Sequence, residues 1–502
     1  MSSGFSKSII VFMLLVRAGV CYGQIKISAV NYDTITPDEV FLYDDSGGII
    51  DVVAYGDSTY NGIGWLGAAV QLDPYAYAIE GQMIERDRLE AVSGIENDTD
   101  TAADFDDNRT FYPGQSHYLA ASFSFTGSVT AAAAPDSNYQ LLITQINNAV
   151  SSIKMCVYDF ENIYIANALV NARQRNVIVK LLLEGAPVSG LSNQEKYIAK
   201  MIEDNGGEVY YMITDSANAT RNRYAFVHAK YTVFDSNKVL ISSENNGMTG
   251  HPVTTSYGNR GWDILVDNAD VANYFETVFE EDTSLNHRDI FRYLASDPKY
   301  GAPPPGFVPD STIPIGPYSP VQPSTVYSGS FIIEPIFAPD QSLMQQHSIL
   351  KALNSALTAI DVEMLSLYKY WGAESTGSPS TTPDLILEAL INAARRGVHV
   401  RILLDSNYFS TDPTNPRDND DTVSYVNAIA AAEALPLEAR LADLDGMKVD
   451  KIHNKGFLID QHKVLISSIN GTQNSIKYNR EAAVLIDSAA LAGYYQVLFD
   501  YD

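Results

Sequence analysis

Two short stretches of this chain carry the same set of proton-active side chains at the same spacing. The first runs His228-Ala229-Lys230-Tyr231-Thr232-Val233-Phe234-Asp235, and the second His453-Asn454-Lys455-Gly456-Phe457-Leu458-Ile459-Asp460. Each is followed by a Ser-Ser pair and an asparagine: Ser242, Ser243 and Asn245 after the first, Ser467, Ser468 and Asn470 after the second. In both, the asparagine lies seventeen residues beyond the histidine. A single His-x-Lys-x4-Asp match is weak, whereas two with identical followers form a strong signal.

The residue types suit phosphodiester cleavage without a metal or other cofactor. A neutral imidazole attacks phosphorus while a second, protonated imidazole gives its proton to the leaving oxygen. Lys230, Lys455, Asn245 and Asn470 then stabilise charge on the non-bridging oxygens, with Ser243 and Ser468 as further phosphate-binding candidates. Each imidazole also needs a carboxylate on its other nitrogen to fix its tautomer. Asp263 in Asn259-Arg260-Gly261-Trp262-Asp263 and Glu481 in Asn479-Arg480-Glu481 are the candidates, at broadly comparable distances beyond their histidines.

The spacing also dictates what must hold these groups. Histidine and lysine two apart leave the same face of an extended strand. Val239-Leu240-Ile241 and Val464-Leu465-Ile466 read as next strands that bring Ser and Asn to the same rim. Further upstream, Ile165–Arg175 reads as a helix, with strands at Ile153–Val157, Val177–Leu183, Val209–Ile213 and Tyr231–Phe234. This alternation predicts an α/β layer fold. The block Ile165–Leu183 recurs nearly position for position as Ile386–Leu404, and Pro135-Asp136 recurs as Pro339-Asp340. The chain is therefore a tandem duplication. The expected architecture is two pseudo-twofold-related α/β lobes with mixed sheets flanked by helices, facing across one cleft.

The domain boundaries follow from composition. Residues 1–23 read as a signal peptide, with Lys7 before the apolar run Ile9–Val16; a short uncleaved anchor is the alternative. The chain is thus expected to be secreted or extracytoplasmic. Residues 24–113 form a small β-module with a turn at Asp45-Ser46-Gly47-Gly48. The lobes are expected at residues 114–300 and 326–502. Between them residues 301–325 form a linker, whose segment Gly301–Pro323 holds eight prolines. The formal charge of −28 across 502 residues disfavours nonspecific polyanion binding, because a nucleic-acid surface needs a basic footprint. Asn97, Asn108 and Asn218 lie in glycosylation sequons; Asn470 does too, but its place in the motif argues against modification.

The paired motifs with their downstream Ser-x-Asn resemble the phospholipase D superfamily over about residues 115–500. Ser242 and Ser467 depart from it, standing where glycine is frequent. The resemblance implies His228 as nucleophile, His453 as acid and base, and structural roles for Asp235 and Asp460. It implies a phospholipid partner at a membrane surface, a nucleic acid being the alternative substrate and a cardiolipin-type phosphatidyltransferase a further option. Residues 25–90 resemble a lamin-tail β-sandwich, which leaves a binding protein with a vestigial site as a rival from another class. The chain is expected to act as a monomer.

Other conspicuous residues carry bland readings. His117, His251, His287, His347, His399 and His462 read as surface or core, and Cys156 as a buried core thiol. Tyr158, Asp159 and Glu363 are candidates for the cleft wall, with packing the competing reading. Glu96–Arg109 reads as a solvated connector, and Asp412–Asp421 as a solvated insertion with the cleft rim as its other reading.

Overall fold

The computed structural model describes residues 29–31, 38–43, 46–55, 58–70, 83–85, 99–105 and 115–502, apart from 117, 119, 215–219, 221, 344–346, 373 and 376. The expected signal peptide, His117, the sequons at Asn97, Asn108 and Asn218, and most of the connector lie outside them. The described residues fall into two compact units that divide between residues 105 and 115.

The N-terminal unit contains β1 (Ala29–Asn31), β2 (Asp38–Tyr43), β3 (Ile49–Tyr55) and β4 (Met83–Glu85). β2 and β3 form an antiparallel hairpin over the expected turn, where Gly47 takes φ 84°. Only glycine adopts that conformation without a Cβ penalty. β1 pairs antiparallel with β4, and Trp65 is fully buried.

The second unit holds both copies of the duplication. The first copy runs β5 (Phe123–Ala134), α1 (Asn138–Asn148), β6 (Ser152–Val157), α2 (Ile163–Gln174), β7 (Ile178–Glu184), α3 (Asn193–Asp204), β8 (Glu208–Met212), β9 (Tyr231–Phe234), β10 (Lys238–Ser242), β11 (Gly261–Asp267), α4 (Ala269–Asp282) and β12 (Ile290–Arg292). The second runs β13 (Thr325–Ala338), α5 (Ile349–Asn354), β14 (Ala359–Met364), α6 (Leu385–Arg395), β15 (His399–Leu404), α7 (Asn419–Glu433), β16 (Leu437–Leu441), α8 (Leu444–Met447), β17 (Lys455–Ile459), β18 (Lys463–Ser467), β19 (Glu481–Asp487) and α9 (Ala489–Tyr501). The duplicated helices begin alike: the side chain of Asn162 accepts from Tyr164 and Ile165 N–H, and that of Asp384 from Ile386 and Leu387 N–H.

The two copies do not carry separate sheets. β5 and β13 pair antiparallel and fuse both halves into one mixed sheet of fifteen strands. Counting back equally from Ala134-Pro135 and Ala338-Pro339 reaches Thr126 and Ser330. These two lie opposite each other, and their hydroxyls are 3.0 Å apart. A residue facing its own counterpart marks the pseudo-twofold axis. The inner core follows the fusion: Val129, Trp262, Phe275 and Tyr231 of the first lobe pack in one cluster with Phe337, Val484, Tyr495 and Leu498 of the second. The proline-rich segment packs rather than spaces. Tyr318 is buried with its hydroxyl 2.8 Å from Asp136, which also accepts from Val321 and Gln322 N–H. Among the described residues no helix is long and apolar enough to cross a membrane.

Candidate active site

Both motifs converge where the lobes meet. Each histidine lies on the extended segment leading into β9 or β17 rather than within the strand, and the opposite lobe holds its backbone. His228 N–H donates to the Arg480 carbonyl and His453 N–H to the Arg260 carbonyl, both at 2.8 Å. These arginines are fully buried. Arg480 binds Asp340 and Asp282, and Arg260 binds Asp136 and Asp502. Two more carboxylates brace the preceding residue. Glu184, at the end of β7, accepts from Val227 N–H at 2.7 Å, and Asp405, just past β15, accepts from Ile452 N–H at 2.8 Å.

The ring of His228 is fixed through Nδ1, which lies 2.8 Å from both carboxylate oxygens of Glu481. Glu481 in turn accepts from Ser468 Oγ at 2.6 Å and Asn479 Nδ2 at 3.0 Å. The Tyr158 ring meets the imidazole edge-on at 5.0 Å between centroids. His453 is fixed differently. Its Nδ1 lies 2.9 Å from the Ser243 carbonyl oxygen and 3.3 Å from Glu244 Oε2. Either arrangement engages Nδ1 and leaves Nε2 as the nitrogen for chemistry.

Two lysines complete the centre, both almost fully buried. Lys230 Nζ donates to the His228 carbonyl at 2.6 Å, and Lys455 Nζ donates to that of His453. Packing cations this closely has an electrostatic cost. Burial, opposed by Glu481 and joined by Lys230, lowers His228 to about 4. Burial and the charges of Lys455, Lys451 and Lys230 hold His453 well below the usual histidine range. Burial brings Lys230 down to about 8 despite Glu481 and Asp159, and burial with Lys230 holds Lys455 well below the usual lysine range. Glu481 feels burial as an upward push, but His228 and Lys230 outweigh it and keep it below the ordinary carboxylate value. A phosphodiester anion bound among these groups would relieve cation–cation repulsion.

Several expectations need correction. Glu481 serves a histidine, but that of the other lobe. Asp263 serves neither motif histidine: it accepts from Ser242 Oγ at 2.8 Å and lies 3.3 Å from His251 Nε2. The strand register explains the miss. Gly261 pairs with Ala134 as Glu481 pairs with Ala338, so Asp263 stands two residues further along the strand. The shared Asn-Arg at 259–260 and 479–480 was the signal for that alignment. Ser243 and Ser468 are fully buried with their hydroxyls engaged, by Trp262 N–H and by Glu481 with Ala482, and so brace the site rather than face a phosphate. Asn245 donates to Asp159 at 3.3 Å and keeps a buried Oδ1 without a partner, as does Asn470. Glu363 is fully buried beside Asp502 and Arg260. Asp235 and Asp460 take the expected structural part. At φ 53° and 54° they accept backbone N–H groups from Val150–Ser152 and Leu357–Ala359.

A duplicated α/β body with two histidines and two buried lysines at its pseudo-twofold junction has the form of a two-lobed phosphoryl-transfer centre. The family model described as "Cardiolipin synthase, PLD-like domain" matches residues 142–283 and 349–502. The chain belongs to this family, within the phospholipase D superfamily. Curated relatives include phospholipase D of Rickettsia conorii, 36% identical over 112 residues, and of Rickettsia prowazekii, 32% identical over 112 residues. Each match covers 22% of this chain; it covers 47% of the R. conorii protein and 46% of the R. prowazekii protein, so the chain spans about half the length of the curated relatives. Among solved structures, phosphatidylserine synthase of Haemophilus influenzae shares the fold at TM-score 0.51 and 14% identity, covering 73% of this chain and 84% of that one.

Proposed function

We propose that this chain is a phosphodiesterase of phospholipase D type, cleaving or transferring a phospholipid headgroup through a phosphohistidine. The observation that carries this reading is the pair of imidazoles, each with Nδ1 engaged and a buried lysine beside it. In the first step the Nε2 lone pair of His228 attacks phosphorus. The bond to the leaving oxygen breaks, and that oxygen takes the proton from Nε2 of His453. In the second, His453 removes a proton from water or another alcohol, whose oxygen displaces Nε2 of His228. Lys230 and Lys455 stabilise the charge gathered on the non-bridging oxygens, with Asn245 and Asn470 as further donors.

Two features support a lipid over a nucleic acid. The formal charge of −28 repels a polyanion. The loops after β7 and β15 also carry strongly exposed apolar side chains, Val188 at 84% and Tyr408 and Phe409 at 71% each. Those loops begin beside the carboxylates that brace the residue before each histidine, and aromatic tips of this kind suit a lipid interface. The reading includes export, from the apolar run Ile9–Val16, and action as a monomer.

The test is headgroup release from phosphatidylcholine vesicles set against cleavage of plasmid and single-stranded DNA, each in EDTA. Vesicle turnover that survives EDTA and disappears in H228A is the expected result. DNA cleavage without lipid turnover would transfer the same chemistry to a nuclease, and lipid turnover surviving in H228A would overturn the assignment.

A further inference from the structure

The two lobes differ in what they carry at one pair of equivalent positions. In the second lobe position 481 is glutamate and position 469 is the buried, apolar Ile469. In the first lobe the counterparts are Gly261 and Glu244, so the carboxylate stands at the other position of the pair. The registers Gly261↔Ala134 and Glu481↔Ala338 fix one equivalence. The aligned Ser242-Ser243 and Ser467-Ser468 fix the other.

Three further observations tie the exchange together. A Cβ built on Gly261 would collide with Glu244 Oε1 and stand 2.6 Å from Ser243 Oγ, so the glutamate occupies space that a side chain at 261 would need. Asn259 Nδ2 donates to Glu244 Oε2 at 2.8 Å, as its counterpart Asn479 donates to Glu481 Oε1 at 3.0 Å. The same asparagine thus serves the carboxylate wherever the chain supplies it. Finally, Glu244 Oε2 lies 3.3 Å from Nδ1 of His453, as Glu481 lies against Nδ1 of His228.

We propose that Glu244 is the positioning carboxylate of His453, relocated from position 261 to position 244 and admitted there by the absence of a side chain at Gly261. The Ser243 carbonyl gives the ring its direction, and Glu244 supplies the negative charge that balances an imidazolium. The charged or titratable groups around it are His453 and Lys455 from the second lobe and His251 and Asp263 from the first. Burial, opposed by Lys455 and Asn259, lifts Glu244 to about 7.

The inference rests on the phosphodiesterase reading only for its kinetic arm, so the experiment has two readouts. One is turnover of bis(p-nitrophenyl) phosphate. The other is the ring 15N spectrum of His453 in histidine-labelled protein, which reports the protonation of the ring against pH without any turnover. E244A is expected to lower kcat by about 10²-fold with little change in KM, and to move the protonation of His453 to lower pH, because the carbonyl still holds the tautomer while the balancing charge is gone. G261A, with Glu244 intact, should produce the same downward shift by displacing the carboxylate. E244A/G261E returns the carboxylate to the position used by the other lobe, and should restore the His453 titration and about tenfold of the lost kcat. E244Q, nearly isosteric, replaces E244A if the truncated variant does not fold. A His453 spectrum and kcat unchanged in E244A or E244Q would overturn the proposal, as would a folded double variant no better than E244A. If the unmodified protein turns over no diester, the phosphodiesterase reading fails while the spectrum still decides the place of Glu244.

Discussion

His228 and His453 occupy equivalent places in the duplicated body, yet their Nδ1 atoms end on different acceptors. His228 faces both oxygens of an ionised glutamate, whereas His453 faces a carbonyl with a glutamate behind it. A duplicated fold thus supplies one geometry twice and lets electrostatics diverge. In the mechanism proposed above, the histidine held by the firm carboxylate carries the phosphoryl group and the one beside Glu244 passes protons. Divergence of this kind is how one constellation assigns separate roles to matched groups.

The largest expected effect breaks that comparison outright. H228A and H453A should each reduce turnover of an alkyl diester by about 10⁴-fold or more. With p-nitrophenol as the leaving group the two should separate, because an activated leaving oxygen needs no proton. H453A is then expected to retain a burst of p-nitrophenolate with the phosphoryl group, still carrying its other ester, trapped on His228, and H228A none. Rapid-quench kinetics on both variants would show this, and identical bursts would erase the assigned roles. Next comes E481Q, which removes the charge facing His228. Its kcat should fall by about 10²- to 10³-fold, with the burst reduced in rate rather than amplitude.

The pH profile sharpens the same contrast. Glu244 must lose a proton near 7, so activity rises with pH through that value. His453, Lys455 and Lys230 must each keep a proton, and burial pushes all three below their ordinary values, Lys230 to about 8, so activity falls as pH rises. A narrow bell in kcat/KM is expected, its acid limb missing in E244Q and its alkaline limb kept in K230R, because Lys455 and His453 still lose their protons when position 230 stays charged. Survival of the acid limb in E244Q would disconnect it from Glu244.

The smallest effect tests where the lobes remain alike. Asp235 and Asp460 make matching sets of backbone hydrogen bonds, and D235A and D460A should each destabilise by about 1–2 kcal/mol. Partial burial pushes both carboxyls up, but the backbone N–H groups prevail and hold them below the ordinary aspartate value. That stabilisation is present above the unfolded pKa and lost as pH falls through the folded one. Thermal denaturation at neutral pH would show near-equal shifts, and a large inequality would mean the two turns are not equivalent.

Local pattern made much of this legible. The strands at Ser152–Val157 and Tyr231–Phe234 follow from short, mostly apolar runs, and the duplication from the repeated helix-strand block. The structural aspartates were readable through the motif. What escaped was contact across the axis. His228 and Glu481 are 253 residues apart, and no local periodicity joins them. The expectation for Asp263 assumes a carboxylate at one fixed place beyond each histidine, whereas the site needs the charge and not the position. The pairs Glu184/Asp405 and Arg260/Arg480 sit at matching points of the repeat and could have been read from the alignment.

The proline-rich segment takes on a different meaning once each imidazole is seen to depend on a carboxylate from the opposite half. Two separate copies joined through β5 and β13 would form such a centre only as a dimer, in proportion to their concentration. A tether anchored on Asp136 through Tyr318 replaces that bimolecular encounter with an intramolecular one. Assembly of the centre then becomes independent of dilution.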